Sequence, residues 1–387
     1  MSLAKIIAIE PSGQLYGSEY CLLDLLRGFK QTYNWEIILP QGGGFDEILE
    51  RDGFPCHYTL PRNLGAQSKL AKLKAYGKTG WTILRQKPDL IYLNQAGMLR
   101  AANKVADHCQ VPIVCQVQTL EDARFLSKIP EAGRHVKAFI CNSEFIANET
   151  DIEAEKKCVF YQGLEQARLD IALRSKVRTL PPQGEPIRVG LLGRIAESKG
   201  HFLLVNAAKQ IIESSGERNW QFVIIGDAAT TAEREEFEAA IESNGLKNYF
   251  DLRGYCQDLA TELAPLHLLT IPSPAEPLGR VLFDAAEAGL PAIVSDTGGL
   301  GEICQRYQVG VSFKGKDPSA LANAIEQAVA NYDAVQQTFR EQSSKMLESL
   351  SMDSYLNAFN TVLDQAIKGQ TCSKRWFGSG QVVSAAN

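Results

Sequence analysis

The stretch LLTIPSPAEPLGRVLFDAAEAGLPAIVSDTGGLGEI, residues 268–303, decides the fold. A short apolar run rich in β-formers ends in a proline-rich turn. A helical pattern opens near Gly279, a second apolar run follows from Pro291, and Gly298-Gly299 closes it. Strand, crossover helix, strand is the unit of a parallel sheet. The same alternation extends in both directions. Upstream of a break the strands read AKIIAIE, WEIILP, CHYTL, DLIYLN, PIVCQVQ, AFICNS and CVFYQG; beyond it come IRVGLLGR, WQFVIIGD, FDLRGY, LLTIPS and PAIVSD. Amphipathic segments separate them. In residues 19–33, for instance, Leu22, Leu25, Leu26 and Phe29 recur at helical spacing.

The break is LRSKVRTLPPQGEP, residues 173–186, whose paired prolines and missing apolar period mark a linker. The expected organisation is α/β throughout: a first Rossmann-like domain over 1–180 and a second over 181–352. A helix over 353–370 returns to the first domain, and 371–387 forms a flexible tail. Ligands of such sheets bind beyond the C-terminal strand ends, so two facing halves would enclose a cleft.

At 387 residues there is ample chain for two cores. Forty Lys+Arg against forty-five Asp+Glu leave a net charge of −5, which excludes a protein that coats nucleic acid by bulk charge. No apolar run reaches the roughly 18–20 residues of a membrane span. Nine scattered cysteines without a C-x-x-C pair read as reduced thiols of a cytosolic protein, and MSLAKIIAIEPSG shows no export signal.

Two segments carry chemistry. In the opening stretch, Gly279 at a helix start allows close approach to a ligand, while free amides and the helix dipole favour an anion. Glu276 precedes that helix and Asp284 lies about a turn and a half inside it, placed to accept sugar or ribose hydroxyls. Alternatively, Glu276 caps the helix and Asp284 pairs on its surface. In VGLLGRIAESKGHFLLVNA, Gly193-Arg194 ends a strand and Lys199-Gly200 precedes a helix, so two cations stand where a diphosphate could be neutralised. Ordinary surface cations are the plain alternative. No Walker loop and no G-x-G-x-x-G follows any strand, which counts against P-loop and nicotinamide chemistry.

With these residues in view, the chain resembles the retaining glycosyltransferases of family 4 (group 1), which have the two-domain GT-B fold. The matching pieces in the second half are Gly193-Arg194 through Lys199-Gly200, Gly226-Asp227, GYCQDL (residues 254–259), AEPLGRVLFDAAEAGLP (residues 275–291) and Gly298-Gly299 followed by Glu302. The first half matches more weakly, through Gly17-Ser18-Glu19, Asn142-Ser143-Glu144 and Gly163-Leu164-Glu165.

The resemblance implies that Arg194 and Lys199 grip a donor diphosphate, aided by amides near Leu278 and Gly279. Glu276 holds hydroxyls of the transferred sugar, Asp284 the ribose diol, and backbone at Tyr255 and Cys256 the base. Gly17, Ser18 and Glu19 approach the cleft from the first half; a favourable carboxylate at a helix start explains Glu19 equally well. Two positions depart from the family: Asp284 stands in place of a glutamate, and Gln118 where a histidine is common.

The implied activity is metal-independent transfer of a hexose, from UDP-glucose or another UDP-sugar, to a glycan or lipid-linked acceptor in cell-surface polysaccharide assembly. No cofactor and no D-x-D sequence enter. A non-catalytic nucleotide-sugar-binding subunit, or an epimerase or phosphorylase on the same fold, remains open.

Residues 53–88 hold seven Lys/Arg and no acid, interleaved with Leu70, Leu73, Tyr76, Trp81 and Leu84. Either these apolar side chains pack into the first half beneath a solvated basic face, or the segment rests on an anionic membrane at the inner face of the cell.

Overall fold

The computed structural model describes residues 3–15, 17–129, 131–164, 177–214, 216, 219–379 and 382–384. The chain divides into two compact units. One comprises residues 1–163 and 350–387, the other 164–349.

In the first unit the strands β1 (Lys5–Ile9), β2 (Asn34–Pro40), β3 (Cys56–Leu60), β4 (Leu90–Leu93), β5 (Ile113–Val117), β6 (Val136–Cys141) and β7 (Lys157–Phe160) pair in parallel, in the order β7-β6-β5-β4-β1-β2-β3. They are almost wholly apolar because helices cover both faces of a parallel sheet. Among them are α1 (Gly17–Gly28), α2 (Phe45–Arg51), α3 (Lys69–Gln86), α4 (Leu99–Cys109), α5 (Leu120–Leu126) and α6 (Glu144–Asn148). Local chemistry starts some of these cleanly. Thr119 accepts from the Asp122 amide in a capping box that opens α5.

In the second unit β8 (Ile187–Leu192), β9 (Trp220–Ile225), β10 (Phe250–Gly254), β11 (Leu268–Ile271), β12 (Ala292–Ser295) and β13 (Val311–Phe313) form a parallel sheet ordered β10-β9-β8-β11-β12-β13. Its helices are α7 (His201–Ser214), α8 (Thr231–Ser243), α9 (Leu259–Leu263), α10 (Arg280–Glu287), α11 (Gly298–Tyr307), α12 (Pro318–Ala330) and α13 (Tyr332–Ser349). Trp220, Phe222, Phe237 and Ile325 anchor a core between the sheet and α7, α8 and α12.

The last helix, α14 (Met352–Ile367), packs on β5 and β6 of the first unit. Phe359 meets the rings of Phe29, Tyr92 and Phe160 at centroid separations of 5.6–6.4 Å. The Tyr33 hydroxyl binds Asn360 and Asp364, each at 2.7 Å. Such offset ring contacts add to the burial of large apolar surface.

Two expected boundaries are corrected. The stretch 371–387 is not a tail throughout: β14 (Lys374–Trp376) extends the first sheet beside β7, and β15 (Val382–Ser384) pairs antiparallel with β14. Trp376, 1% exposed, stacks on Phe160 and explains why this short strand holds. Nor is the linker free along its length. Arg178 is buried and donates to the carbonyls of Leu263 and Leu266, so the chain has joined the second unit before the paired prolines. Glu165 and residues 173–176 lie outside the described residues.

Candidate functional site

In the second sheet, β8 connects onward to β9 on one side, while β11 flanks it on the other. The strand order reverses between β8 and β11, and loops diverging there leave a crevice at the strand ends. The loop after β8 carries Gly193, Arg194 and Lys199; the loop after β11 carries Glu276, Leu278 and Gly279. They meet across the reversal. Lys199 Nζ donates to Glu276 Oε2 at 2.6 Å.

Both loops are held from behind. Gly200 has φ +79°, and a Cβ there would stand 2.3 Å from the Pro272 carbonyl oxygen, so glycine alone lets the Lys199 loop lie against the end of β11. Gly298 has φ +67°, with the Glu276 backbone oxygen 2.6 Å from its would-be Cβ. The neighbouring Gly299 amide donates to that Glu276 carbonyl at 2.8 Å, and Thr297 Oγ1 donates to the Pro274 carbonyl at 2.9 Å. The proline-rich loop is therefore fixed by the turn that opens α11.

His201 lies completely buried at the start of α7. Its Nδ1 accepts from the Ala196 amide at 3.4 Å, and burial pushes its pKa down to about 4. An imidazole neutral above that pH is an acceptor, so it ties the Lys199 loop to its helix. Its position two residues beyond Lys199 was the available signal.

The remaining expected residues of this unit lie around the same edge. Arg194 is exposed and forms no ion pair with the described residues, leaving its guanidinium open to an anion. Gly279 is the N-cap of α10, in the left-handed region at φ +90°, and Asp284 sits half-buried within that helix. Tyr255 is 80% exposed after β10, and burial raises the thiol pKa of its half-buried neighbour Cys256. Only Lys199 and Glu276 of this set touch through their side chains in the bonds described. Together the edge offers two cations, a carboxylate and the amide-bearing starts of α7 and α10, an arrangement suited to a phosphate beside hydroxyls.

The first unit has the same reversal, between β1 and β4. Here Glu10 follows β1 and Asn94 follows β4, and both are fully buried. Asn94 Nδ2 donates to Glu10 Oε2 at 2.5 Å, and the Ser12 amide donates to Glu10 Oε1 at 2.7 Å. Burial first, then the nearby Glu19 charge, raises the Glu10 pKa to about 8. Gln118 turns its amide to the Asn94 carbonyl at 3.0 Å and to Asn94 Oδ1 at 3.1 Å. Glu19 is 1% exposed and accepts from Ser12 Oγ at 2.5 Å and Ser18 Oγ at 2.9 Å, an internal use of the carboxylate at the start of α1. Gly17, the first residue of α1, is exposed. Sequence reasoning reached Gly17, Ser18, Glu19 and Gln118 but missed Glu10 and Asn94. The available signal was a carboxylate or amide ending an apolar strand.

The two parallel α/β sheets give the chain the GT-B fold, and residues 174–346 match the profile of the family glycosyl transferases group 1. Among curated relatives, 2-deoxystreptamine N-acetyl-D-glucosaminyltransferase of Niallia circulans is 30% identical over 177 residues, 44% of this chain and 44% of its own. D-inositol 3-phosphate glycosyltransferase of Corynebacterium diphtheriae is 24% identical over 272 residues, 65% of this chain and 60% of its own. The matches thus span about half the length of these relatives. Among solved structures, Anabaena Alr3699/HepE in complex with UDP and glucose superposes with a TM-score of 0.77 at 21% identity, covering 94% of this chain and 100% of that one.

Proposed function

We propose that this chain is a retaining hexosyltransferase that moves a hexose from a UDP-sugar, UDP-glucose foremost, to a glycan or lipid-linked acceptor of cell-surface polysaccharide assembly in the cytoplasm. The observation that carries this reading is the Lys199–Glu276 pair across the β8/β11 reversal, with Arg194 open beside it. The Anabaena protein crystallised with UDP and glucose supports the choice of donor.

In this reading Arg194, Lys199 and the amides at Leu278 and Gly279 receive the diphosphate. Glu276 accepts sugar hydroxyls, Asp284 the ribose diol, and backbone at Tyr255 and Cys256 the base. The acceptor oxygen attacks the anomeric carbon from the same face as the departing phosphate. The bond from that carbon to the phosphate oxygen breaks, and the departing oxygen takes the acceptor's proton. Negative charge grows on the leaving group, where prepositioned cations and amides stabilise it without a metal ion. Glu19 serves by holding Ser12 and Ser18 rather than by touching substrate.

Incubation with a panel of UDP-sugars tests this. The expected result is UDP release with the anomeric configuration kept, undiminished by a chelator. Tight binding without release would instead favour a non-catalytic subunit, a reading motivated by the commitment of the Gln118 amide to Asn94.

A further inference from the structure

Helix α3 turns the usual arrangement of a surface helix outward. Its inner face is buried through Ala75, Thr79, Thr82 and Ile83. On the opposite side Leu70, Leu73, Gly77, Trp81 and Leu84 follow one another at spacings of three and four, a single stripe along the helix. Leu70 is 63% exposed, Leu73 66%, Trp81 59% and Leu84 46%. Eight large apolar side chains stand exposed among the described residues, and these are four of them. The expectation that they pack into the first half is therefore not met.

Beside the stripe runs an apolar groove of 980 Å³ between α3 and α4, lined by Val105, Phe125 and Ile129 and rimmed by Arg100, Lys104 and Arg134 with one acid, Glu131. The flanks of the stripe are cationic. On the helix projection Lys74, Lys78 and Arg85 stand along one side and Lys69 along the other. No acid occurs anywhere in residues 53–88, although the whole chain is net negative.

We propose that α3 and the adjoining groove seat the protein on an anionic lipid bilayer, with Leu70, Leu73, Trp81 and Leu84 below the headgroups and the flanking cations at phosphate level. The charge chooses this occupant. A second copy of the same face would set cation against cation, whereas anionic headgroups complement the flanks while acyl chains receive the stripe. Among the described residues no helix is long and apolar enough to cross a membrane, so the contact lies in the plane of the interface. Docking and sugar transfer are separable properties.

Trp81 makes the test direct. The other three tryptophans, Trp35, Trp220 and Trp376, are at most 3% exposed. Vesicles of phosphatidylglycerol and phosphatidylcholine should shift the tryptophan emission to the blue, and brominated acyl chains should quench it. Phosphatidylcholine alone should do neither. Binding should fall steeply between about 0.05 and 0.5 M salt. Lys69→Gln and Lys74→Gln should each weaken it about fivefold, and the double change Leu73→Glu, Leu84→Glu should abolish it. No spectral shift and no co-sedimentation with anionic vesicles at about 0.1 M salt would overturn the proposal, as would binding indifferent to the double change. A concentration-dependent dimer that Leu73→Glu dissolves would also overturn it, assigning the stripe to a second copy. UDP release from UDP-sugar in vesicle-free solution should be equal in all these variants, so the two readings fail independently.

Discussion

The two strand-order reversals share one topology and are filled in opposite ways. Between β8 and β11 the diverging loops present a lysine, an arginine and a carboxylate, partly exposed and backed by helix starts. Between β1 and β4 the same crevice is occupied from within: Glu10, Asn94 and Gln118 are buried, and Glu10 and Gln118 are each bonded to Asn94. Parallel topology provides a place for a ligand in each unit, and the residues at the strand ends decide whether the place stays open. An open crevice needs charges left partly solvated. The closed one has turned its polar groups into internal structure.

Breaking the open reversal should have the largest effect. Lys199→Ala is expected to lower turnover at least tenfold at saturating donor, since one prepositioned donor to a developing anion is worth about 3 kcal/mol in acyl transfer, a different chemistry that also builds up negative charge. Thermal unfolding of the variant should be little changed, because Lys199 is partly exposed. An unchanged rate would remove it from the mechanism.

The closed reversal should respond in stability instead. A carboxyl whose pKa is raised on folding to about 8 keeps its proton where the unfolded chain has lost it. Its stabilising contribution is thus full below about pH 4.5 and declines as pH rises through 8. At ~1.4 kcal/mol per pKa unit, the decline between pH 5 and 8 is on the order of 2–4 kcal/mol. Denaturant titrations across that range should show it, and Glu10→Gln should flatten the slope whatever its absolute stability. Glu19 and Asp122, the other acids acting on Glu10, remain in that variant.

A smaller effect is expected from His201→Leu. Losing the acceptor for the Ala196 amide loosens the loop that presents Lys199, so the KM for donor should rise a fewfold while turnover changes less. Kinetics above pH 5 suit this measurement, because the imidazole is neutral there. Smallest of all, Asp284→Glu, which keeps the carboxylate and adds one methylene, should alter donor KM by less than about threefold.

Much of the open site was legible in the sequence because its residues cluster: Gly193, Arg194 and Lys199 lie in one loop, Glu276, Leu278 and Gly279 in another, each between a recognisable strand and helix. The closed site was not, because Glu10 and Asn94 stand 84 positions apart and meet only when β1 and β4 pair. Register across a sheet is a tertiary fact. Two short strands at or next to the sheet edges escaped for a different reason. β13 and β14 are three residues long, too short for an apolar period, and β14 is held by one tryptophan against Phe160 rather than by propensity. The apolar residues of α3 were visible as a pattern, but their exposure was not, since helical spacing alone does not say which face looks inward.

The route of the chain through its two units has a consequence in time. It leaves the first unit after Gly163 and returns only at Leu350. A ribosome adding roughly 5–20 residues per second thus finishes the second unit before α14 and β14 exist. For about ten seconds or more the nascent first sheet has β7 as a bare edge, and Phe160 lacks its partners Tyr355, Phe359 and Trp376. The inserted unit can mature while its host waits. The last helix and strand act as a late seal, making the first unit the place where a nascent chain is most open to chaperones or to unwanted pairing at β7.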